Sequence, residues 1–183
     1  MTVEKYGGFS VSDDRESSKM TSPILSICIP TYNRGTYLKE ALGRLAEELE
    51  TTGDDVEVFI SDNCSTDETE MVCRSFAEKY PTKIVYVRQE TNIGPSANFT
   101  FVLQHGRGKF LKMQNDNFIL MPGILRRMCE FIKVHEAEHP VIFWGNECTI
   151  QCSPGDYVCH SHDELLEAVS YWTTWIGGYG FWR

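Results

Sequence analysis

Long apolar runs are missing from this sequence. No stretch of its 183 residues approaches the ~20 that a membrane span needs, and the opening MTVEKYGGFS lacks the apolar centre of a secretory signal. Basic residues are scarce: 17 Lys and Arg stand against 26 Asp and Glu, a formal net charge of −9. The deficit is steepest after residue 133, where seven acids face Arg183 alone. With no positive field to neutralise a phosphate backbone, general binding to DNA or RNA is excluded. An anionic small ligand would then need a metal ion or locally placed donors. Internal repeats and low-complexity tracts are absent as well.

An even cysteine framework is also lacking. The seven cysteines (Cys28, Cys64, Cys73, Cys129, Cys148, Cys152 and Cys159) are odd in number, and three fall in apolar-periodic segments where a thiol packs as a small hydrophobe. This usage reads as a reducing compartment, and a cytoplasmic protein is expected.

What is present is the composition of one globular domain, 42% apolar and 23% charged. Residues 1–22 are polar and poor in apolar side chains, so a disordered leader is expected there. The domain is expected over 23–183. Within it, short apolar runs at 24–29, 56–60, 84–87, 110–113 and 141–144 predict buried strands. Between them, helical periodicity predicts helices over 37–49, from Asp67 onward, over 96–105 and over 122–137. Asp67 is expected as the N-cap of the second. Strands alternating with helices specify an α/β fold, a mostly parallel central sheet flanked by helices on both faces.

In such sheets ligands bind beyond the carboxyl ends of the strands. Four polar loops are predicted at that edge, 30–35, 61–67, 89–95 and 114–117. Asp62, directly after the second strand, can accept hydrogen bonds from a base or ribose, or can stabilise its own turn with Asn63. Asp116 stands between Asn115 and Asn117, so one carboxylate and two amide carbonyls are available as hard oxygen ligands for Mg²⁺ or Mn²⁺.

The blocks ILSICIPTYNRGTYLKEAL, VEVFISDNCSTDET, ETNIGPSANF and GKFLKMQNDNFILMPGIL together resemble family 2 glycosyltransferases, nucleotide-sugar enzymes of the Rossmann-like glycosyltransferase A fold. The resemblance runs from about Ser22 to about Phe143. It implies that Pro30, Thr31, Tyr32 and Arg34 line a nucleotide pocket and that Asp62 contacts uracil or ribose. Asn92 and Gly94, with Asn98, would border the base and sugar, and Asn63 and Asn115 join the nucleotide-binding set. Asp116 and Asn117 would hold the metal. The implied reaction moves a sugar from a nucleoside diphosphate sugar, a UDP-sugar by expectation, to an acceptor hydroxyl with inversion. A glycan or lipid-linked acceptor, surface-polysaccharide synthesis and peripheral association with the inner face of a membrane follow from the same resemblance.

The family usually carries two aspartates at the metal motif, where this chain has Asn115-Asp116-Asn117. Each Asp-to-Asn change keeps an oxygen and removes a charge, so the metal binds more weakly or leans on the donor phosphates. A catalytically impaired nucleotide- or sugar-binding module is therefore the alternative reading. The general base is not placed; Asp163 and Glu164 read as first-turn acids of a helix. The chain ends inside the aromatic, glycine-rich run 171–183, so a truncated acceptor half is expected. That run reads as unfinished core, a sugar-stacking surface or a membrane-interface patch.

Two metal patterns compete. His135-Glu136-Ala137-Glu138-His139 matches the H-E-x-x-H zinc hydrolase pattern, but Pro140 disfavours helical geometry at His139. Cys148, Cys152, Cys159, His160 and His162 form a soft-ligand cluster whose spacing matches no common zinc ribbon or finger.

Overall fold

The computed structural model describes residues 22–138, 142–143 and 179–183. Its elements run β1 (Leu25–Thr31), α1 (Gly35–Leu49), a 3₁₀ turn at Gly53–Asp55, β2 (Val56–Asp62), α2 (Thr69–Lys79), β3 (Ile84–Arg88), α3 (Pro95–His105), β4 (Phe110–Met113), α4 (Ile124–His135), β5 (Ile142–Phe143) and β6 (Tyr179–Trp182). They build one sheet in the order β3-β2-β1-β4-β6-β5. The β3-β2-β1-β4 portion is parallel, and β6 runs antiparallel between β4 and β5. The chain steps outward from β1 to β3 and then returns to the far side of β1, so the topological switch lies between β1 and β4.

Alternation along the strands sorts the core into two layers. Leu25, Ile27 and Ile29 of β1, with Val58, Ile60 and Phe110, face α1, α2 and α4 through Leu38, Leu42, Leu45, Val72, Leu125 and Met128. The opposite register positions Cys28, Phe59, Leu111 and Met113 face Val102 of α3. Helices therefore cover both faces, as the sequence predicts. The helix α1 buries a stripe of leucines at three- and four-residue spacing, Leu38, Leu42, Leu45 and Leu49, each contributing about 2 kcal/mol of apolar burial.

At the strand starts, Glu57 is a buried acid satisfied by three donors. Its oxygens take the Ser26 hydroxyl at 2.8 Å, the Arg107 backbone N–H at 2.8 Å and the Arg107 guanidinium. Gly108 lies so close to β1 that a Cβ there would meet the Ser26 nitrogen at 2.5 Å. This locks the approach to β4.

Some elements differ from the sequence expectation. The strand β1 continues through Pro30 to Thr31 because β4 pairs only as far as Cys28, leaving the Pro30 nitrogen on a side where no ladder donor is required. Helix α4 starts at Ile124 rather than Pro122, after Gly123 takes a left-handed φ of 78°. The aromatic, glycine-rich tail, where the sequence predicts no strand, holds β6, which pairs Phe110 with Trp182, their rings meeting edge to face at 5.2 Å between centroids. Trp182 is thus core.

Candidate functional site

All four parallel strands end at one edge, and the loops that leave them are tied together by side-chain hydrogen bonds. The start of α1 is the clearest case. Arg34 offers it no side-chain cap, and its first donors are taken by the neighbouring loop: Arg34 N–H by the Thr69 hydroxyl at 3.0 Å and Gly35 N–H by Asp67 Oδ2 at 3.1 Å. The other Asp67 oxygen accepts Thr69 N–H at 3.0 Å, so one carboxylate serves two helix starts. Desolvation opposes it, yet bonds from Thr69 and Gly35 hold the Asp67 carboxyl below its ordinary pKa. Asp67 lies two residues before Thr69, the first helical residue, so it acts from outside the helix rather than as its N-cap.

Asn33 adds a second tie. At a left-handed φ of 52°, which Asn tolerates, it accepts Thr66 N–H on its side chain at 2.8 Å and donates its own N–H to the Ser65 hydroxyl at 2.9 Å. Asn63 links onward: its amide donates to Asn92 Oδ1 at 3.0 Å and accepts Ile93 N–H at 2.8 Å. Asn92 also accepts Gly94 N–H at 2.9 Å, at a glycine whose φ of 85° turns the chain into α3.

Asp62 lies beneath these loops, fully buried. One oxygen accepts the Ser65 N–H at 2.9 Å and the Ser65 hydroxyl; the other accepts the Tyr86 hydroxyl at 2.8 Å, with the Arg88 guanidinium at 3.9 Å. Burial first, and Asp62 second, push the Tyr86 phenol far above its ordinary pKa. Asn98 is buried likewise, donating to the Ser61 carbonyl at 3.0 Å and accepting the Ser61 hydroxyl at 2.5 Å. Both residues are therefore committed to holding loop 61–67 and α3 against β2, and neither presents a free polar group at the surface.

Across the switch point, the Thr31 hydroxyl at the end of β1 donates to Asp116 Oδ2 at 3.0 Å. Asp116 is half-buried between exposed Asn115 and Asn117. Burial raises its carboxyl pKa, against the Thr31 bond and the positive charge of Arg34. Beneath it, Gln114 is buried with Oε1 lacking a partner among the described residues. Tyr32 and Arg34 are exposed at the same edge, while Pro30 is buried.

This donor set fits a hard divalent cation. A single carboxylate flanked in the chain by two amide side chains supplies few ligands and little charge, so an ion bound there would keep water or phosphate ligands. Among the described residues no three His, Cys, Asp or Glu converge to hold a metal unaided. Of the hydrolase pattern, His135 ends α4 against Phe131 at 4.3 Å between centroids, and Glu136 pairs with Lys109 at 2.6 Å. His139, the Cys148, Cys152, Cys159 and His162 cluster, Asp163, Glu164 and the leader to residue 21 lie outside the described residues. No described helix is long and apolar enough to cross a membrane.

The sequence reading missed Asn33, Ser65, Thr69 and Tyr86. Asn33 carried a signal, an Asn before Arg-Gly at a strand-to-helix turn. Tyr86 carried none, because a tyrosine in an apolar strand looks like core.

Comparison with known proteins places the fold and the family. The chain is similar to the abequosyltransferase RfbV of Salmonella typhimurium, 39% identical over 48% of this chain and 26% of that protein. It is also similar to the minor teichoic acid biosynthesis protein GgaB of Bacillus subtilis, 25% identical over 64% of this chain and 13% of that protein. The chain thus spans about a quarter or less of these relatives' length. Among solved structures, S. aureus TarS 1–349 in complex with UDP-GlcNAc superposes with a TM-score of 0.56 at 26% identity, covering 75% of this chain and 37% of that one. The mannosyltransferase PcManGT from Pyrobaculum calidifontis, in complex with GDP-Man and Mn²⁺, shares the fold at a TM-score of 0.52 and 23% identity, over 63% of this chain and 33% of that one. The family profile described as glycosyl transferase family 2 matches residues 26–170, from the second residue of β1 through the other parallel strands and all four loops, and the chain belongs to that family.

Proposed function

We propose that this chain carries the nucleotide-sugar site of an inverting glycosyltransferase that moves a sugar from a UDP-sugar to a hydroxyl of a glycan or lipid-linked acceptor in surface-polysaccharide synthesis. The observation that carries the reading is the Thr31–Asp116 hydrogen bond, which sets the one carboxylate of the metal motif at the crevice between β1 and β4. The UDP-GlcNAc bound by TarS supports the donor class, and the teichoic acid biosynthesis named for GgaB, with the sugar transfer named for RfbV, supports the pathway class. The protein acts in the cytoplasm, at the inner face of the membrane where a lipid-linked acceptor would be met.

Thr31 fixes the rotation of the Asp116 carboxylate, and Asn115 and Asn117 supply neutral oxygens beside it. Mg²⁺ or Mn²⁺ held there supplies stabilisation of the charge that develops on the departing diphosphate. Tyr32, Arg34, Asn92 and Gly94 border the nucleotide, while Asp62, Asn63 and Asn98 act from below by holding the loops that touch it. A carboxylate general base deprotonates the acceptor; none of the described residues is assigned to it.

The lone carboxylate of the motif favours a second reading, a module that binds the donor without turnover. Calorimetry of UDP and GDP with Mn²⁺, Mg²⁺ or chelator, alongside transfer and donor-hydrolysis assays, separates the two. Metal-strengthened UDP binding that Asp116→Ala lowers about tenfold or more is expected. Absence of binding by either nucleotide overturns both readings, and binding with neither hydrolysis nor transfer leaves the second.

A further inference from the structure

The four loops at the strand ends are electrostatically lopsided. Residues 30–35, 61–67, 89–95 and 114–117 contain Asp62, Asp67, Glu90 and Asp116 but a single cation, Arg34. The neighbouring cations are occupied elsewhere. Arg88, the last residue of β3, donates to the Ser65 carbonyl at 2.9 Å and pairs with Glu70 at 3.1 Å. Lys112 is buried within the sheet, its ammonium over the Phe118 ring at 5.5 Å. Within these four loops, Arg34 is therefore the one cation that a diphosphate entering this edge would meet.

That cation is held in place. The Arg34 backbone is fixed at both ends, its N–H by Thr69 at 3.0 Å and its carbonyl by the Leu38 N–H at 2.9 Å. Its guanidinium lies over the ring of Tyr37, 5.3 Å from the centroid. Tyr37 sits in the first turn of α1 and is 55% exposed, so its ring is not part of the core. A flexible arginine loses rotamer freedom when it grips an anion, and a ring that already orders it removes part of that loss. Arg34 lies in the loop that leaves β1, exposed at the same sheet edge as the loop that carries Asp116.

We propose that Tyr37 is a positioning residue that holds the Arg34 guanidinium toward the crevice as the protein's own partner for the donor diphosphate. The inference rests on the nucleotide-sugar reading of the same site. It gives the diphosphate a second electrostatic anchor, independent of the metal, at a motif that has given up carboxylate charge. Because the anchor grips phosphate, its loss weakens UDP and leaves uridine unaffected.

The test is calorimetry of UDP and uridine, each with Mn²⁺ and with chelator, on the wild type, Tyr37→Leu, Tyr37→Phe, Arg34→Ala and the Arg34→Ala/Tyr37→Leu double variant. Arg34→Ala is expected to lower UDP affinity about tenfold or more. Tyr37→Leu is expected to lower it about threefold, in chelator as well as in Mn²⁺, and Tyr37→Phe, which keeps the ring face, to restore most of that loss. In the Arg34→Ala background Tyr37→Leu changes nothing further, because the partner it positions is gone. A Tyr37→Leu variant with wild-type UDP affinity overturns the inference, as does an equal loss for uridine, which would make the ring a nucleoside contact. If the wild type binds no UDP, the nucleotide-sugar reading itself fails, and that failure is distinct from either result. Melting temperature is followed in parallel, and the exposed ring predicts no shift for either Tyr37 variant.

Discussion

Asp116 carries opposite consequences for stability and for binding. Burial raises its carboxyl pKa above the ordinary 3.8, so the folded chain holds this proton more tightly than the unfolded one. Stability therefore falls as pH rises from 3.8 through the raised value, and at neutral pH the ionised carboxylate is a net burden on the fold. Asp116→Asn keeps an acceptor for Thr31 and removes the charge. Its melting temperature without ligand is expected at or above wild type at pH 7, with the difference vanishing as acid protonates the wild-type residue. Metal-dependent UDP affinity should drop about tenfold or more in the same variant. A melting temperature several degrees below wild type would show the carboxylate to be a structural requirement instead. Asp62 is the contrasting acid, with both oxygens consumed inside. Tyr86→Phe leaves one of them short of a donor and should lower unfolding free energy by about 1–2 kcal/mol in urea titration. The placement of both acids at strand ends was legible in the sequence; their different roles were not. Ser65 and Tyr86 reach Asp62 from a loop and from a neighbouring strand, and no local pattern announces that a carboxylate will be covered from two directions.

The two helix starts at the crevice form one unit. A Cβ on Gly35 would lie 2.8 Å from the Thr69 nitrogen and 2.5 Å from Glu68 Cγ. The glutamate can swing away, but the Thr69 nitrogen belongs to the backbone, so α1 and α2 must part and the bonds from Gly35 to Asp67 and from Arg34 to Thr69 lengthen together. Gly35→Ala is expected to lose about 1–3 kcal/mol by urea denaturation, and nucleotide affinity with it, because the loop that carries Tyr32 and Arg34 loses its anchor. A fully stable Gly35→Ala would mean that the helices separate at no cost. The strands β1 to β4 were legible because each is a short apolar run next to a polar break, and α1 because its leucines repeat at helical spacing. The ends were less so. Proline reads as a breaker, yet Pro30 sits within β1 where only one side is laddered. The cap that starts α1 comes from residues more than thirty positions away, which no local signature of helix initiation contains.

In the whole chain, the least local decision is the insertion of β6 beside β4. Lys112 pairs with Gly180 and Phe110 with Trp182, so the parallel half of the sheet is extended by a strand about seventy residues downstream. Glycines at 177, 178 and 180 argue against a strand when read locally. The neighbouring ladder supplies what propensity does not. Gly180 is buried opposite Lys112, and Trp182 sets its ring edge to face with Phe110, a fully buried residue of the main core. Over Tyr179–Trp182 the aromatic tail is thus sheet, and Trp182 packs against the main core. Trp182→Ala should then act on the global transition rather than on the crevice. About 2 kcal/mol is expected from denaturant midpoints at unchanged slope, less than for a fully buried aromatic because Trp182 is half-buried. With the loops 30–35 and 61–67 tied to each other on the other side of β1, UDP affinity measured well below the midpoint should stay at the wild-type value. A variant that kept its stability but lost nucleotide binding would place this strand in the site, and would move the functional boundary from the four parallel strands to the sheet as a whole.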